Sequence, residues 1–357
     1  MLKWLVILSL TFAAGVAVYA VVGPHSLITV IRYLPGHTAG TLLILLIGSE
    51  IVKGLRWAFF LRGADLNIRV VDGLTSYLAA QAASALPGGS ALAVRMAEEH
   101  GGIRMRQAAS GLVGEYVADT FALALVATGA ILFMHLPSIQ LFIPAVTVLT
   151  GIGVIVVIRN ERLAQWLTAT LSRWERTRRF LPKEEDFRRR TVRLMRWRVI
   201  AIATLYSLLA TLLSAAILLT IVGSFSRRTL PPVEAMYVHS FSTIARMAIP
   251  VPGGYAVSDV SLAGLLHFVG LGLTGAAFVA LAYRTAGIVF RTCFGFLVLV
   301  VRYPHLLVGS LRPRQATSSP MSPLAEPVIT ARDTIGRNGP GTVLMSAEPP
   351  PEPGIRH

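Results

Sequence analysis

The stretches "SALPGGSALAVR" at residues 84–95 and "AIPVPGGYAVSD" at residues 248–259 decide how this chain is read. Each places Pro-Gly-Gly inside apolar sequence and follows it within a few positions with a charged residue. The surroundings are 54% hydrophobic and only 14% charged, and the mean hydropathy is +0.64. Such a composition belongs to a chain dissolved in lipid. Two matched helix breaks in such a chain need a physical reason.

A helix rises 1.5 Å per residue, so about 20 apolar residues are needed to cross a hydrocarbon core of roughly 30 Å. Six stretches qualify: 5–23, 40–61, 108–134, 141–158, 199–223 and 274–302. The first is long and is followed by no small-residue cleavage site, so it reads as a retained signal anchor. Cys293 is the only cysteine, which excludes an intrachain disulfide or a thiolate metal site.

The chain carries 33 Lys and Arg against 18 Asp and Glu, and their placement argues against nucleic acid. Residues 159–198 hold thirteen basic and five acidic side chains between two apolar spans, with Trp166, Trp174 and Trp197 among them. Basic loops stay in the cytoplasm and lie on anionic headgroups, so this loop sets the topology. The expected location is the inner (cytoplasmic) membrane, with the loop and tail inside. Residues 306–357 are rich in Pro and Ser with little to bury, and read as a disordered tail. The membrane domain then covers residues 1–305.

Counting outward from the loop, 40–61 ends inside and 108–134 begins there. The segment at 71–100 therefore starts and ends in the cytoplasm. Two short helices meeting at Pro87-Gly88-Gly89 satisfy the charge rule better than a full crossing, which would carry Arg95 outside or flip the N-terminus. The same count makes 233–250 and 256–269 a second hairpin, broken at Pro252-Gly253-Gly254 and entering from the opposite face. Arg227 and Arg228 fall outside in this scheme, against the rule. Pro87 precedes its following span by 21 residues and Pro252 by 22. The expected fold is thus all-α and polytopic, with six full spans, two re-entrant hairpins and an inverted repeat. The competing reading makes each Pro-Gly-Gly an ordinary turn outside the membrane.

Broken helices at membrane depth are tolerated where protein or water satisfies the freed backbone groups. Inverted repeats with broken helices are a transporter design, with half-helix ends facing the substrate near the midplane. Pro begins a helix well, and the N–H groups there suit an anion such as a phosphate.

The segment "SALPGGSALAVRMAEEHGGIRMRQAASGLVGEYVADTFALAL" resembles the first signature of the flippase-like family that includes the membrane domain of lysylphosphatidylglycerol synthases. The features shared are a PGG turn, a nearby Arg, a basic connector and a span with an acidic E-x-x-x-D pair. "ARMAIPVPGGYAVSDVSLAGLLHFVGLGLTGAAFVALAYRTAGIVF" is similar to the second, in which PGG, an acidic residue and a small-residue span with Tyr-Arg follow one another. This chain has Asp259 where Glu is usual, and Glu115-Tyr116 where Glu-Arg is usual. The resemblance covers about residues 1–305. It implies lipid translocation without the soluble aminoacyl-transferase domain, so aminoacylation of lipid is not expected. Some similar proteins accompany hopanoid or other isoprenoid-lipid pathways.

Ionisable groups within spans are costly unless paired or wet. Glu115 and Asp119 share one helix face, where they can hold a proton or meet a basic headgroup. Arg95 lies eight residues after Pro87, within reach of a lipid phosphate or of Glu98 or Glu99. Arg246 and Asp259 bracket the second break as a possible pair. Arg284, beside Tyr283, is expected to meet Glu115 or Asp119 from the other repeat. Glu50 and Lys53 read as a neutralising pair, and Arg56-Trp57 as an interfacial anchor. The residues expected to line the substrate path are Pro87, Gly88, Gly89, Arg95, Glu115, Asp119, Arg246, Pro252, Gly253, Gly254, Asp259, Tyr283 and Arg284. No metal-ligand spacing or nucleotide fingerprint is present, so no cofactor is expected.

The leading function is a translocase for an anionic phospholipid or an isoprenoid-linked lipid. The alternatives are an accessory protein that binds a lipid-synthesis enzyme, and an enzyme acting on a lipid headgroup, for which no nucleophile and base are evident. In a Cys293→Ser background, Ser90→Cys and Ser258→Cys should react slowly with impermeant thiol reagents, and Ser172→Cys should react only from the cytoplasm. Rapid labelling at position 90 from the outer face would exclude a hairpin entering from the cytoplasm.

Overall fold

A computed structural model describes residues 36–83, 89–98, 105–172, 185–226, 229–248 and 255–303. The stretch at 5–23, the tail, Pro87, Gly88 and Pro252-Gly253-Gly254 lie outside these residues. Within them the chain forms helices and short 3-10 turns, with no strand. The helices are α1 (Gly36–Gly63), α2 (Val70–Ala80), α3 (Gly89–Glu98), α4 (Met105–Phe133), α5 (Phe142–Arg159) and α6 (Glu161–Ser172). They continue with α7 (Glu185–Leu194), α8 (Trp197–Phe225), α9 (Pro232–Ala248), α10 (Tyr255–Phe268) and α11 (Leu273–Arg302). The protein is an all-α, multi-pass membrane protein. Five of the six expected spans fall among the described residues, as α1, α4, α5, α8 and α11, and all five are long and apolar enough to cross.

The helices beside the PGG motifs are shorter. At 1.5 Å per residue α2, α3 and α10 reach only about 15 to 21 Å, and α9 about 26 Å, all less than the roughly 30 Å core. The short helices pack as pairs, α2 on α3 and α9 on α10, as the hairpin reading requires.

The packing order repeats along the chain. The first span of each set, α1 or α8, packs on the first arm of the hairpin that follows it, α2 or α9. The second arm, α3 or α10, packs on the next span, α4 or α11. The first arms also cross between the sets, α2 onto α11 and α9 onto α4. Helices α1 and α8 form the central pair and run antiparallel: Gly48 lies against Leu213, Phe59 faces Tyr206 and Gly63 lies against Val199. The two sets therefore have opposite directions, as an inverted repeat demands.

Three helix ends are closed sharply by residues in the left-handed region, Asp65, His135 and Gly270. In each, the next N–H reaches back five residues, from Leu66 to Leu61, Leu136 to Ile131 and Leu271 to Leu266. That bond satisfies a carbonyl left over at the helix end. The start of α6 is set by Asn160, whose Oδ1 accepts the N–H groups of Arg162 (3.0 Å) and Leu163 (3.3 Å).

Apolar packing falls into two cores. One gathers Trp57, Phe60 and Leu61 of α1, Val117 and Ala118 of α4, Ala203 of α8 and Leu194 of α7. The other gathers Leu123, Ala127 and Ile131 of α4, Leu218 and Val222 of α8, Val238 of α9 and Leu266 of α10. Leu42 of α1 belongs to the second core. Helices α1, α4 and α8 thus pass through both; Ser49, Glu50, Lys53 and Arg56 of α1, Asp119 of α4, and Ser207, Thr211 and Ser214 of α8 fall between the cores, with Glu115 of α4 one turn before Asp119 beside the first core. Helix α5 buries only Pro144 and Gly151 and turns an apolar surface outward, as a lipid-facing span does.

Where lipid replaces water, helices associate through close contact of small residues. Gly295 of α11 meets the end of α2 so closely that a Cβ there would lie 2.6 Å from the carbonyl carbon of Gln81 and 2.8 Å from the Leu78 oxygen. Gly223 has open space around it. Gly295→Val should therefore lower the melting temperature in detergent, by the roughly 1–3 kcal/mol typical of overpacking, whereas Gly223→Val should change it much less. Equal melting of the two variants would show that the α2–α11 contact is not tight.

Candidate functional site

The polar layer is centred on α1. Glu50 stands at the midpoint of that helix, and Lys53 and Arg56 follow on the same face, one and two turns on. Asp119 stands at the midpoint of α4. Arg284 and Arg291 lie about 5 Å to either side of the midpoint of α11, so the whole set falls within roughly 10 Å of mid-span.

Arg56 is the hub. Its Nη1 donates to Asp119 and to Ser207 Oγ (2.6 Å), and its Nη2 donates to Glu115 Oε1 (3.1 Å). One guanidinium thereby joins α1, α4 and α8. The side chain is 6% exposed, so the expected interfacial position for Arg56-Trp57 is corrected. Trp57 is also buried; its Nε1 donates to Ser76 Oγ of α2 (3.2 Å). The planar fork of Arg can serve two carboxylates and a hydroxyl together, which a lysine ammonium does less well.

The expected pairing of Arg284 with Glu115 or Asp119 is likewise corrected. Arg284 donates to Asp259 of α10. The reason is connectivity: α10 packs directly on α11, while the two carboxylates of α4 face α1. Asp259 therefore meets Arg284, where a pairing with Arg246 had been considered. Arg246 lies exposed near the end of α9. Tyr283 Oη donates to the Ser214 carbonyl (3.4 Å) and stands 3.2 Å from His239 Nδ1, linking α11, α8 and α9. Arg95 lies exposed on α3 and pairs with Glu98, one of its two expected acidic neighbours. Gly89 opens the same helix. The other PGG residues lie outside the described residues.

Glu50 and Lys53 pair as expected, Lys53 Nζ donating to Glu50 Oε1 at 3.0 Å. The sequence reading did not weigh Arg291, whose Nε stands 3.4 Å from the same oxygen. A signal was available: Arg291 is seven residues after Arg284, hence on nearly the same face of α11. Several of these charges remain partly open, with side-chain exposures of 38% for Asp119, 31% for Arg291 and 21% for Lys53. Ionised groups at such depth face the bundle interior or water rather than hydrocarbon. Among the described residues no group of His, Cys, Asp and Glu is arranged to hold a metal.

The described residues thus form a helical membrane protein with a charged layer near mid-span and two pairs of short helices. Residues 6–295 match the family described as lysylphosphatidylglycerol synthase TM region, and the chain belongs to that family. No curated protein matches the chain.

Arg56→Leu should destabilise the protein, by at most roughly 3–5 kcal/mol, because it leaves the largely buried Glu115 and the partly open Asp119 without their cation. Adding Glu115→Gln and Asp119→Asn should recover part of the loss in a detergent melt. Purely additive losses would show that the three side chains do not act together.

Proposed function

We propose that the protein is a lipid translocase, moving an anionic phospholipid or an isoprenoid-linked anionic lipid between leaflets of the cytoplasmic membrane. The observation that carries this reading is the charged layer, which lies at mid-span between two oppositely directed helix sets and keeps several of its side chains partly open. A headgroup crossing the bilayer needs polar partners at the depth where lipid offers none. The family supports the same reading, since its name ties the region to lipid chemistry while the match lies in the membrane part.

In this reading the hairpins α2–α3 and α9–α10 are the moving parts, and the basic segment with α6 and α7 faces the cytoplasm. Asp72 near the start of α2 is tied to Arg302 at the end of α11 by a 3.0 Å hydrogen bond. Tyr237 near the start of α9 donates to Gln140 beyond the end of α4 at 3.1 Å. These contacts fasten each hairpin to a span of the other set, and rocking between the sets breaks or makes them.

Purified protein reconstituted into vesicles should speed the transbilayer movement of a fluorescent phosphatidylglycerol, leaving its chemical composition unchanged. Protein-free exchange rates in these vesicles would sink the translocase reading. Conversion of the lipid to a new species would favour an enzyme.

A further inference from the structure

Lys53, Glu50 and Arg291 form a second charge group beside the Arg56 hub, and their formal charges do not cancel. Both cations lie against the same carboxylate oxygen, Lys53 Nζ at 3.0 Å and Arg291 Nε at 3.4 Å. Glu50 is nearly closed off, at 2% exposure, whereas Lys53 and Arg291 are 21% and 31% exposed. The carboxylate is therefore the buried member and the two cations are the open ones. Together the three carry one surplus positive charge.

The depth of the two cations also agrees. Phe225 faces Phe278 and Ser214 meets Tyr283, so α8 and α11 are antiparallel. Because α1 is antiparallel to α8 as well, α1 and α11 run the same way. Lys53 and Arg291 each lie about 5 Å past the midpoint of their helices, at one level. One belongs to the first set and the other to the second, so a group held between them touches both halves.

We propose that Lys53 and Arg291 bind the phosphate of a lipid headgroup at mid-span, with Glu50 as the counter-ion of the empty site. This rests on the translocase reading and assigns its anion contact. A phosphodiester carries one negative charge, which matches the surplus. Arginine and lysine supply complementary contacts, one a planar set of donors and the other a point charge. The neighbouring arginines have close carboxylates of their own, Arg56 with Glu115 and Asp119, and Arg284 with Asp259. The acid pair on α4 repels an anion and so favours the Lys53–Arg291 end of the layer. Free phosphate offers the same oxygens, and the test separates the two sources.

The full chain in neutral detergent is melted against increasing phosphatidylglycerol, phosphatidylcholine or inorganic phosphate. Phosphatidylglycerol should raise the melting temperature most, phosphatidylcholine, whose choline offsets the charge of the same phosphodiester, less, and inorganic phosphate not at all. Lys53→Gln and Arg291→Gln should each raise the half-saturating phosphatidylglycerol concentration roughly tenfold or more, the loss expected for a charged hydrogen bond. Arg188→Gln, which removes a charge from α7, should leave it unchanged. Glu50→Gln should lower the half-saturating concentration, since it removes the competing negative charge. A purely structural role for Glu50 predicts no such tightening. Unchanged binding in Lys53→Gln and Arg291→Gln, or an equal loss in Arg188→Gln, would overturn the site. Saturation by inorganic phosphate at the same concentration would overturn its assignment to lipid. If Lys53→Gln and Arg291→Gln fail to fold, Lys53→Arg should bind as the native chain does and Glu50→Gln more tightly; weaker binding in Glu50→Gln would overturn the site. Binding at these residues without flipping in vesicles would keep the site and reject the translocase. Flipping that survives both glutamine variants would do the reverse.

Discussion

A guanidinium held at mid-span is expensive, and much of the architecture follows from how Arg56 is satisfied. Removing an ion from water costs several kcal/mol, which attraction repays only when the geometry is good and the remaining hydrogen-bonding groups have partners. Arg56 meets that demand by drawing on two other helices at once, with Glu115 and Asp119 from α4 and Ser207 from α8. The acid pair must lie on one face of α4, and α8 must present a small hydroxyl at the crossing. This fixes the rotation of three spans about their axes. The two apolar cores then lie to either side, each drawing on α1, α4 and α8. A single ionic layer thus divides the bundle into two packed blocks, a natural place for a polar path.

The hairpins answer a different constraint. A helix too short to cross the membrane exposes its end groups where no water can reach them, so it needs protein around it. Both first arms obtain that cover from the opposite set, α2 from α11 and α9 from α4. Close approach is made possible by small residues: Gly73 of α2 faces Ala58 of α1, and Gly295 of α11 meets the end of α2. The arms are tied at their starts by polar contacts, Asp72 with Arg302 and Tyr237 with Gln140. Each hairpin is therefore anchored at the start of its first arm.

The spans were legible because lipid imposes a length and a polarity that local sequence must meet. The described boundaries of α1, α4, α5, α8 and α11 differ from the expected ones by only a few residues. The short paired helices on either side of each PGG motif were legible because Pro and Gly act locally. The partners of the charges were not, because spacing along one helix tells which residues share a face but not which neighbouring helix that face meets. Glu115 and Asp119 were rightly grouped by their four-residue separation, yet their cation came from α1 rather than α11. Arg56 was misjudged because an Arg-Trp pair near a span's end usually marks an interface. Here Arg56 lies seven residues, about two turns, before the end of α1 at Gly63, and α4 and α8 reach it there.

The two sets agree in backbone arrangement more closely than in chemistry. Helices α1 and α8 occupy matching places at the centre, but α1 carries Glu50, Lys53 and Arg56, whereas the middle of α8 offers only the hydroxyls of Ser207, Thr211 and Ser214. The middles of the matching spans α4 and α11 likewise differ in sign, with Glu115 and Asp119 on one and Arg284 and Arg291 on the other. An inverted repeat with identical charges would place like groups face to face across its axis, and such groups repel in a medium of low dielectric constant. Opposite charges on matching spans avoid that repulsion and let α1 pair with both, its arginine toward the acids of α4 and its glutamate toward Arg291 of α11. The backbone symmetry suits motion of one set against the other. The asymmetry of charge gives the layer a basic end and an acidic end, so a headgroup held there as proposed would meet one preferred orientation.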